Sequence, residues 1–324
     1  MTLRASIVVP TCGRPELLSR CLEALLAQDF DPHAYEVIVV DDGRGDETRR
    51  VVESRRVDSG RRGTKVRYIS NGPGSGPAAA RNAGWRAAGG TIVAFTDDDC
   101  VPSSSWLARG LDVFVDGVTA ASGKIAMPLP ELPSDYERNA SRIENAEFVT
   151  ANCFCRREAL AAVGGFDERF LLPWREDTDL FFALMERGSR FGHAAHALVV
   201  HPVRRAPWGI SLAQQRKSSF NALLYKKHPD LYRQHLDPPS RRYYLVVGAS
   251  LASVSSALAR RRALALSFAS VWIVLTAHFC LERLRGTSRT PRHRLEMIVT
   301  SILIPPLALF WRIHGAVKFR VLFL

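Results

Sequence analysis

Three adjacent carboxylates, Asp97-Asp98-Asp99, close the apolar run Thr91-Ile92-Val93-Ala94-Phe95-Thr96. The run is short, β-branched and aromatic and follows Gly89-Gly90, which predicts a buried strand. Neighbouring carboxylates at a strand end repel one another, and holding them all ionised is costly unless a cation compensates them. Hard oxygen ligands of this kind suit Mg²⁺ or Mn²⁺, ions that bridge to substrate phosphates. The alternative is a solvated acidic turn, since Asp is common in turns. A second acidic pair, Asp41-Asp42, ends the run Val37–Val40 and precedes Gly43. A third, Glu176-Asp177, follows the turn sequence Gly164-Gly165-Phe166 and opens the helical pattern Leu180, Phe181, Leu184, Met185. Acids in a helix's first turn also serve as caps. Capping is the reading taken for Asp179, and chemistry for Asp177 because of the motifs it accompanies.

These acids need elements to hold them. Ala5–Pro10 reads as a strand closed by Thr11-Cys12-Gly13-Arg14-Pro15, where Pro15 suits a helix's first turn. Leu17, Leu18, Cys21, Leu22, Leu25 and Leu26 recur at helical spacing. Val66–Ile69 reads as a third strand, followed by the Gly/Pro-rich loop 71–77 and a helix over Ala78–Ala88. Strand–helix alternation with turn chemistry after each strand implies a mainly parallel α/β sheet. Ligands bind such sheets at the strands' carboxyl ends, where Asp41, Asp42 and Asp97–Asp99 all fall. The Arg- and Gly-rich stretch 49–63, with Arg61 and Arg62, reads as a solvated helix end and loop.

The chain of 324 residues has a formal net charge of +12 and is 47% hydrophobic, enough for a sizeable core. Residues 240–324 hold 13 of the 44 basic and 2 of the 32 acidic residues, which leaves a net of +1 for residues 1–239. The excess therefore sits among the tail's apolar runs, Tyr243–Leu258, Ala263–Leu281 and Met297–Phe310, punctuated by Arg260-Arg261-Arg262 and the 283–294 loop. That pattern suits a membrane surface and disfavours nucleic acid. Only the second run approaches the ~20 residues of a span; the first is short and Ser-rich, and the third contains Pro305-Pro306. A membrane hairpin, segments lying in the interfacial plane and a buried helical domain all remain open. Six cysteines without zinc or redox spacing point to reduced thiols in a cytoplasmic compartment. Pro10 and Gly13 cut short the first apolar stretch, so no signal peptide is expected.

Taken together, Ser6–Thr11, Val37–Gly43, Arg81-Asn82-Ala83-Gly84, Phe95–Asp99, Gly165-Phe166-Asp167-Glu168 and Arg175–Leu180 resemble, in order over residues 4–205, the family 2 glycosyltransferases. That family comprises inverting enzymes with the GT-A fold, a Rossmann-like nucleotide-diphospho-sugar transferase architecture. The resemblance implies a catalytic domain over 1–235 and a helical, membrane-associated region over 236–324. It implies a nucleotide-sugar donor lying against Pro10, Thr11, Arg14, Asp41, Asp42, Arg81 and Asp97, with Asp41 or Asp42 accepting from the base and Arg81 steadying the nucleotide or its phosphates. A divalent ion, Mg²⁺ or Mn²⁺, would be held by Asp98, the residue singled out for direct contact, with Asp99 and His201; Asp99 as a cap and His201 as a structural histidine are the alternatives. Asp177 would be the general base and Glu176 would contact the acceptor or orient its partner. No nucleophile-elbow serine or matched Cys/His arrangement accompanies them, as a single displacement requires.

The leading expectation is metal-assisted, inverting transfer to a lipid or lipid-linked acceptor at the cytoplasmic face of the cell membrane. The alternatives are a polyprenyl-phosphate glycosyltransferase, for which Asp177 would matter less, and a non-catalytic nucleotide-binding membrane scaffold.

Overall fold

The computed structural model describes residues 3–236 and 241–323; the side chains of 58–62, Arg61 and Arg62 among them, lie outside the described residues. The first half runs β1 (Ala5–Thr11), α1 (Pro15–Leu26), β2 (Tyr35–Asp41), α2 (Glu47–Arg62), β3 (Lys65–Ser70), α3 (Pro77–Arg86), β4 (Ile92–Thr96), β5 (Val101–Pro102), α4 (Trp106–Leu111) and β6 (Val118–Ala126). There follow α5 (Asp135–Ala140), β7 (Asn152–Arg156), α6 (Arg157–Val163), α7 (Glu176–Glu186) and β8 (Arg190–Val200). The remainder is helical: α8 (Ile210–Gln214), α9 (Phe220–Lys227), α10 (Pro229–His235), α11 (Arg241–Leu258), α12 (Arg262–Leu284) and α13 (Pro291–Phe319).

Two compact units result, one of Met1–Pro128 with Arg142–Val203, the other of Leu129–Ser141 with Arg204–Leu324. The first unit is a single sheet in the order β3-β2-β1-β4-β7-β6-β8-β5. Strands β1, β2 and β4 are buried along their whole length, as continuous apolar strands covered on both faces must be. β1 pairs in parallel with β2 and β4, and β2 with β3, the arrangement expected from the alternating pattern. Beyond β4 the sheet turns mixed: β7 is antiparallel to β4 and β6, β8 is parallel to β6, and β5 is antiparallel to β8.

Two local devices set the site's edge of the sheet. Gly84 lets α3 lie directly on β1, because a Cβ there would stand 2.3 Å from Val8 Cγ1. Asn152, opposite Thr96 in the β4–β7 ladder, is fully buried and saturated. Its Oδ1 accepts from the Trp106 indole at 2.8 Å, and its Nδ2 donates to the carbonyls of Lys124 and Ala197, each at 2.8 Å. One amide thus ties α4, β6 and β8 to the end of β4, where the acidic triplet begins.

In the second unit α11 and α12 are joined by a short turn at 259–261 and share a hydrogen bond from Ser253 Oγ to the Ala265 carbonyl at 2.9 Å. The hydroxyls that make α11 look too polar are thus partly satisfied by its neighbour. Helix α13 continues through Pro305-Pro306, a tolerance met where neighbouring groups re-satisfy the freed carbonyls. Both α12 and α13 are long and apolar enough to cross a membrane, and Leu264, Leu266, Val271, Ile273 and Val274 of α12 are exposed.

Replacing Asn152 by Ala would leave the Trp106 N–H and two carbonyls buried without partners, at a cost of about 2–4 kcal/mol. Thermal unfolding followed by circular dichroism should show a melting temperature lower by several degrees. An unchanged melt would mean that these bonds do not hold the β4–β7 end.

Candidate active site

The triplet at the end of β4 divides its labour. Asp97 is partly open, its side chain 27% exposed, and accepts from Arg81 Nη2 at 2.8 Å. Burial alone would raise its pKa, but the charges of Arg81 and His201 outweigh that and hold it below the ordinary carboxylate value. Asp98 is buried with both oxygens engaged: Thr11 Oγ1 donates to one at 2.7 Å and Arg14 Nη1 pairs with the other at 3.1 Å. Burial pushes its pKa up to about 6, against the opposing pull of Arg14 and Thr11. Asp99 turns toward the sheet's other half, 3.8 Å from His201 Nε2 and 3.9 Å from Arg14 Nη1. His201 follows the last residue of β8 and is fixed by its own N–H donating to the Ala126 carbonyl at 2.9 Å.

The carboxylates of β2 are held mainly by the protein. Asp41 accepts from the Gly43 N–H at 2.9 Å and from the Tyr68 hydroxyl at 3.0 Å. Asp42 accepts from the N–H groups of Ser75 and Gly76, each at 2.9 Å, and so folds the Gly-rich loop onto the start of α3. Pro10 is buried next to Thr11 at the end of β1.

Arg81 joins the two acidic motifs. It is 3% exposed, and its Nη2 and Nη1 meet Asp97 at 2.8 Å and Glu176 Oε1 at 3.0 Å. Its guanidinium lies 5.8 Å from the Phe166 ring centroid. Burial works against its charge, but Asp97 and Glu176 more than compensate and raise its pKa. The next residue fixes the far side of the bridge. Asn82 donates to the Phe166 carbonyl at 2.9 Å and accepts from the Phe166 N–H at 2.9 Å, clamping the turn that leads to Glu176. Gly165 in that turn has φ 79°, and a Cβ on it would stand 2.4 Å from Trp85 Nε1. The stretch Arg81–Gly84 is therefore one joint: Gly84 seats it on β1, Asn82 grips the Gly165-Phe166 turn, and Arg81 spans the acids between.

Glu176 and Asp177 open α7 just after Arg175, a non-glycine residue held at φ 74°. Left-handed backbone of this kind is costly and is concentrated at functional sites. Glu176 is buried, and its Oε2 has no hydrogen-bond partner among the described residues. Burial first, and then the neighbouring charge of Asp177, push its pKa up to about 7. Asp177 is more open; its Oδ1 accepts from the Thr178 N–H at 2.6 Å. Its pKa is raised by burial, with the Thr178 N–H and Arg81 pulling the other way.

The donor set fits a divalent cation. Asp99 and His201 bring a carboxylate and an imidazole together, and Cys100 completes a group whose ligand atoms lie within 4.8 Å of one another. His201 Nδ1 is buried without a hydrogen-bond partner among the described residues. Carboxylate with imidazole is a set that Mn²⁺ accepts and Mg²⁺ tolerates. Around it the carboxylates of Asp97, Asp98, Asp99 and Glu176 are paired directly with Arg14 and Arg81 among the described residues, with Arg175 and His201 adding to the positive side, and a divalent cation would offset the acid that remains. Sequence reasoning missed Tyr68, Asn82 as a clamp, and Cys100, none of which stands in a pattern readable without its partner across the fold.

Two sequence families match the chain: "Glycosyl transferase family 2" over residues 6–164 and "Glycosyl transferase family group 2" over residues 134–313. Glycosyltransferase AglE of Haloferax volcanii is 28% identical over 227 residues, 65% of this chain and 70% of that protein. The pre-mycofactocin glycosyltransferase of Mycobacterium tuberculosis is 31% identical over 215 residues, 61% of this chain but only 43% of that protein. Among solved structures, the mannosyltransferase PcManGT from Pyrobaculum calidifontis, in complex with GDP-Man and Mn²⁺, superposes with a TM-score of 0.57 at 19% identity. It covers 99% of this chain and 88% of that one. Staphylococcus aureus TarS gives a TM-score of 0.52 at 15% identity over 98% of this chain and 54% of that one. The fold these comparisons share with the chain is GT-A.

The folded chain keeps the Glu176 proton up to about pH 7, whereas an unfolded chain releases it near the ordinary value of 4.5. Between those values the native state binds the extra proton, so stability is highest below the window and falls as pH rises through it. Glu176→Gln copies the neutral acid and cannot titrate. Its melting temperature should drop less than the wild type's between about pH 5 and about pH 8. Identical drops would show that Glu176 does not hold a proton in the native state.

Proposed function

The chain belongs to glycosyltransferase family 2, and from that premise we propose that it moves a sugar, with inversion, from a nucleotide-sugar donor to a hydroxyl of a lipid or lipid-linked acceptor at the cytoplasmic face of the membrane. The observation that carries this reading is the Arg81 bridge, which holds the strand-end acids and the Glu176-Asp177 motif around one buried guanidinium.

On this reading the donor nucleotide lies along the ends of β1, β2 and β4, against Thr11 and Asp41, with Asp42 shaping the Gly-rich loop beside it and Asp97 toward the ribose. The pairing of Asp98 with Thr11 and Arg14 supports giving it the task of bracing that pocket, and giving the metal to Asp99 and His201. A divalent cation there would supply Lewis-acid stabilisation of the departing diphosphate. Asp177 takes the proton from the acceptor oxygen as that oxygen attacks the anomeric carbon from the face opposite the nucleotide. One displacement then suffices, and the bond to the diphosphate breaks as the glycosidic bond forms. Glu176 holds Arg81 and its pKa is pushed up to about 7 by burial, while Asp177, the more open of the two, takes the role of base.

The acceptor class rests on the second unit. Two helices long enough to span a bilayer and a strongly basic tail favour a substrate met at a membrane. The relatives are named for chemically different compounds, pre-mycofactocin and validoxylamine A among them, so family membership by itself names no acceptor. The Pyrobaculum neighbour's GDP-Man and Mn²⁺ support a donor and a metal of that chemical kind.

With purified protein in lipid or mild detergent and a panel of nucleotide sugars, one donor should release nucleoside diphosphate only with Mn²⁺ or Mg²⁺, and Asp99→Ala or EDTA should abolish the release. Asp177→Asn should lower transfer by about 10²- to 10⁴-fold with nucleotide binding retained. Full transfer by Asp177→Asn would overturn its role as base, and metal-independent release would remove the metal.

A further inference from the structure

The segment 129–141 lies in sequence between two strands of the first unit, yet it folds as part of the second. We propose that the buried pair Asp135–Arg283 is a positioning contact for the acceptor, fixing this segment on α12 so that it governs acceptor use without altering donor chemistry. The inference rests on the transferase reading above and names a control that reading does not contain.

The contact is specific. Asp135 and Arg283 are 2% and 7% exposed. Arg283 Nη2 and Nε donate to Asp135 Oδ2 at 2.9 and 3.2 Å. Its remaining Nη1 is taken by Thr300 Oγ1 at 2.7 Å and Ser301 Oγ at 3.1 Å on α13. Arg138, one turn along α5, donates to the Arg283 carbonyl at 3.2 Å and also to that of Arg285. The Ser288 N–H closes on the Pro133 carbonyl at 2.9 Å. Charge pairs buried in this way are weak evidence of stability, because desolvation offsets the attraction; their best-attested use is to fix one register. Here they fix which part of the helical unit the segment follows.

The segment's ends give that register a consequence. It leaves the first unit after Pro128, two residues beyond Ala126, whose carbonyl holds the His201 N–H; the first unit resumes at Arg142 and leads to β7 at Asn152, paired with Thr96 immediately before the acidic triplet. A hydrogen bond from the Met127 N–H to the Glu144 carboxylate closes the neck. The first-unit stretches that flank the segment therefore run to the ends of β6 and β7, while the proposed donor residues Thr11, Asp41, Asp42 and Asp97 sit at the ends of β1, β2 and β4. None of the proposed donor or metal residues lies within 129–141. The second unit also carries the exposed apolar helices, so the segment joined in sequence to β6 and β7 is fastened to the part of the chain that would meet a lipid.

The test uses full-length protein in mixed micelles, the donor identified above, and a lipid extract of native membranes as acceptor, with donor hydrolysis by water read in parallel. Asp135→Asn, which keeps the shape but not the charge, and Arg283→Lys should each raise the half-saturating amount of extract about tenfold or more, as small misplacements of a reacting group do. Donor KM and the hydrolysis rate should stay within about twofold of wild type, since neither residue shares a hydrogen bond or ion pair with the proposed donor residues. Transfer and hydrolysis falling together would show a merely structural pair, and unchanged acceptor dependence in both variants would overturn the proposal. A wild type that hydrolyses donor but transfers nothing to the extract would instead overturn the lipid-acceptor reading, and this inference with it.

Discussion

One buried guanidinium shared between two acidic motifs is the constraint around which the site is built. Arg81 is out of water, so its charge is tolerable only against carboxylates, and it meets one from the end of β4 and one from the start of α7. A single positive charge cannot balance Asp97, Glu176 and Asp177 at once. Burial, and then the charge of Asp177, push the Glu176 pKa up to about 7, and Asp98 and Asp99 add further acid beside it. On the proposed function, a diphosphate donor arriving with a divalent ion would bring the positive charge such a site calls for.

Everything that keeps Arg81 in place is devoted to close approach. The missing side chain of Gly84 brings α3 onto β1, and Asn82 ties α3 to the Gly165-Phe166 turn through paired hydrogen bonds. Asn152 secures the end of β4 from the opposite side. The second unit obeys other physics. Its helices bury modest faces and leave aliphatic side chains outward, on two of them that are long and apolar enough to cross a membrane. Among the described residues its tightly buried charge pair, Asp135–Arg283, is spent on a segment that lies in sequence between strands of the sheet.

Much of this was legible in the sequence because the relevant signals are local. Strands β1, β2, β3 and β4 and helix α3 follow from short apolar runs punctuated by Gly and Pro, and the acids fall at strand ends by simple adjacency. The three apolar runs of the tail became α11, α12 and α13 for the same reason. What escaped depends on distant partners. Strand β8 is interrupted by a register shift against β6 between Gly123 and Lys124, which blurs its alternation. The engagement of Asp98 by Thr11 reaches across 87 residues, and no spacing rule separates it from its two neighbours. The membership of 129–141 in the helical unit depends on a pair 148 residues apart. Arg81 was visible as a motif residue, but its burial, and hence its bridging of two acids, is a property of the packing above it.

The most direct measurement is the transfer rate of Arg81→Lys, with donor affinity determined on the same preparation. Lysine keeps the positive charge but lacks the planar fork, so it can satisfy only one of the two carboxylates well. If the bridge aligns the strand-end acids with the base, kcat should fall by about 10²-fold while donor binding changes little. Wild-type turnover by Arg81→Lys would contradict the account, because the two motifs would then be held together by something other than this guanidinium.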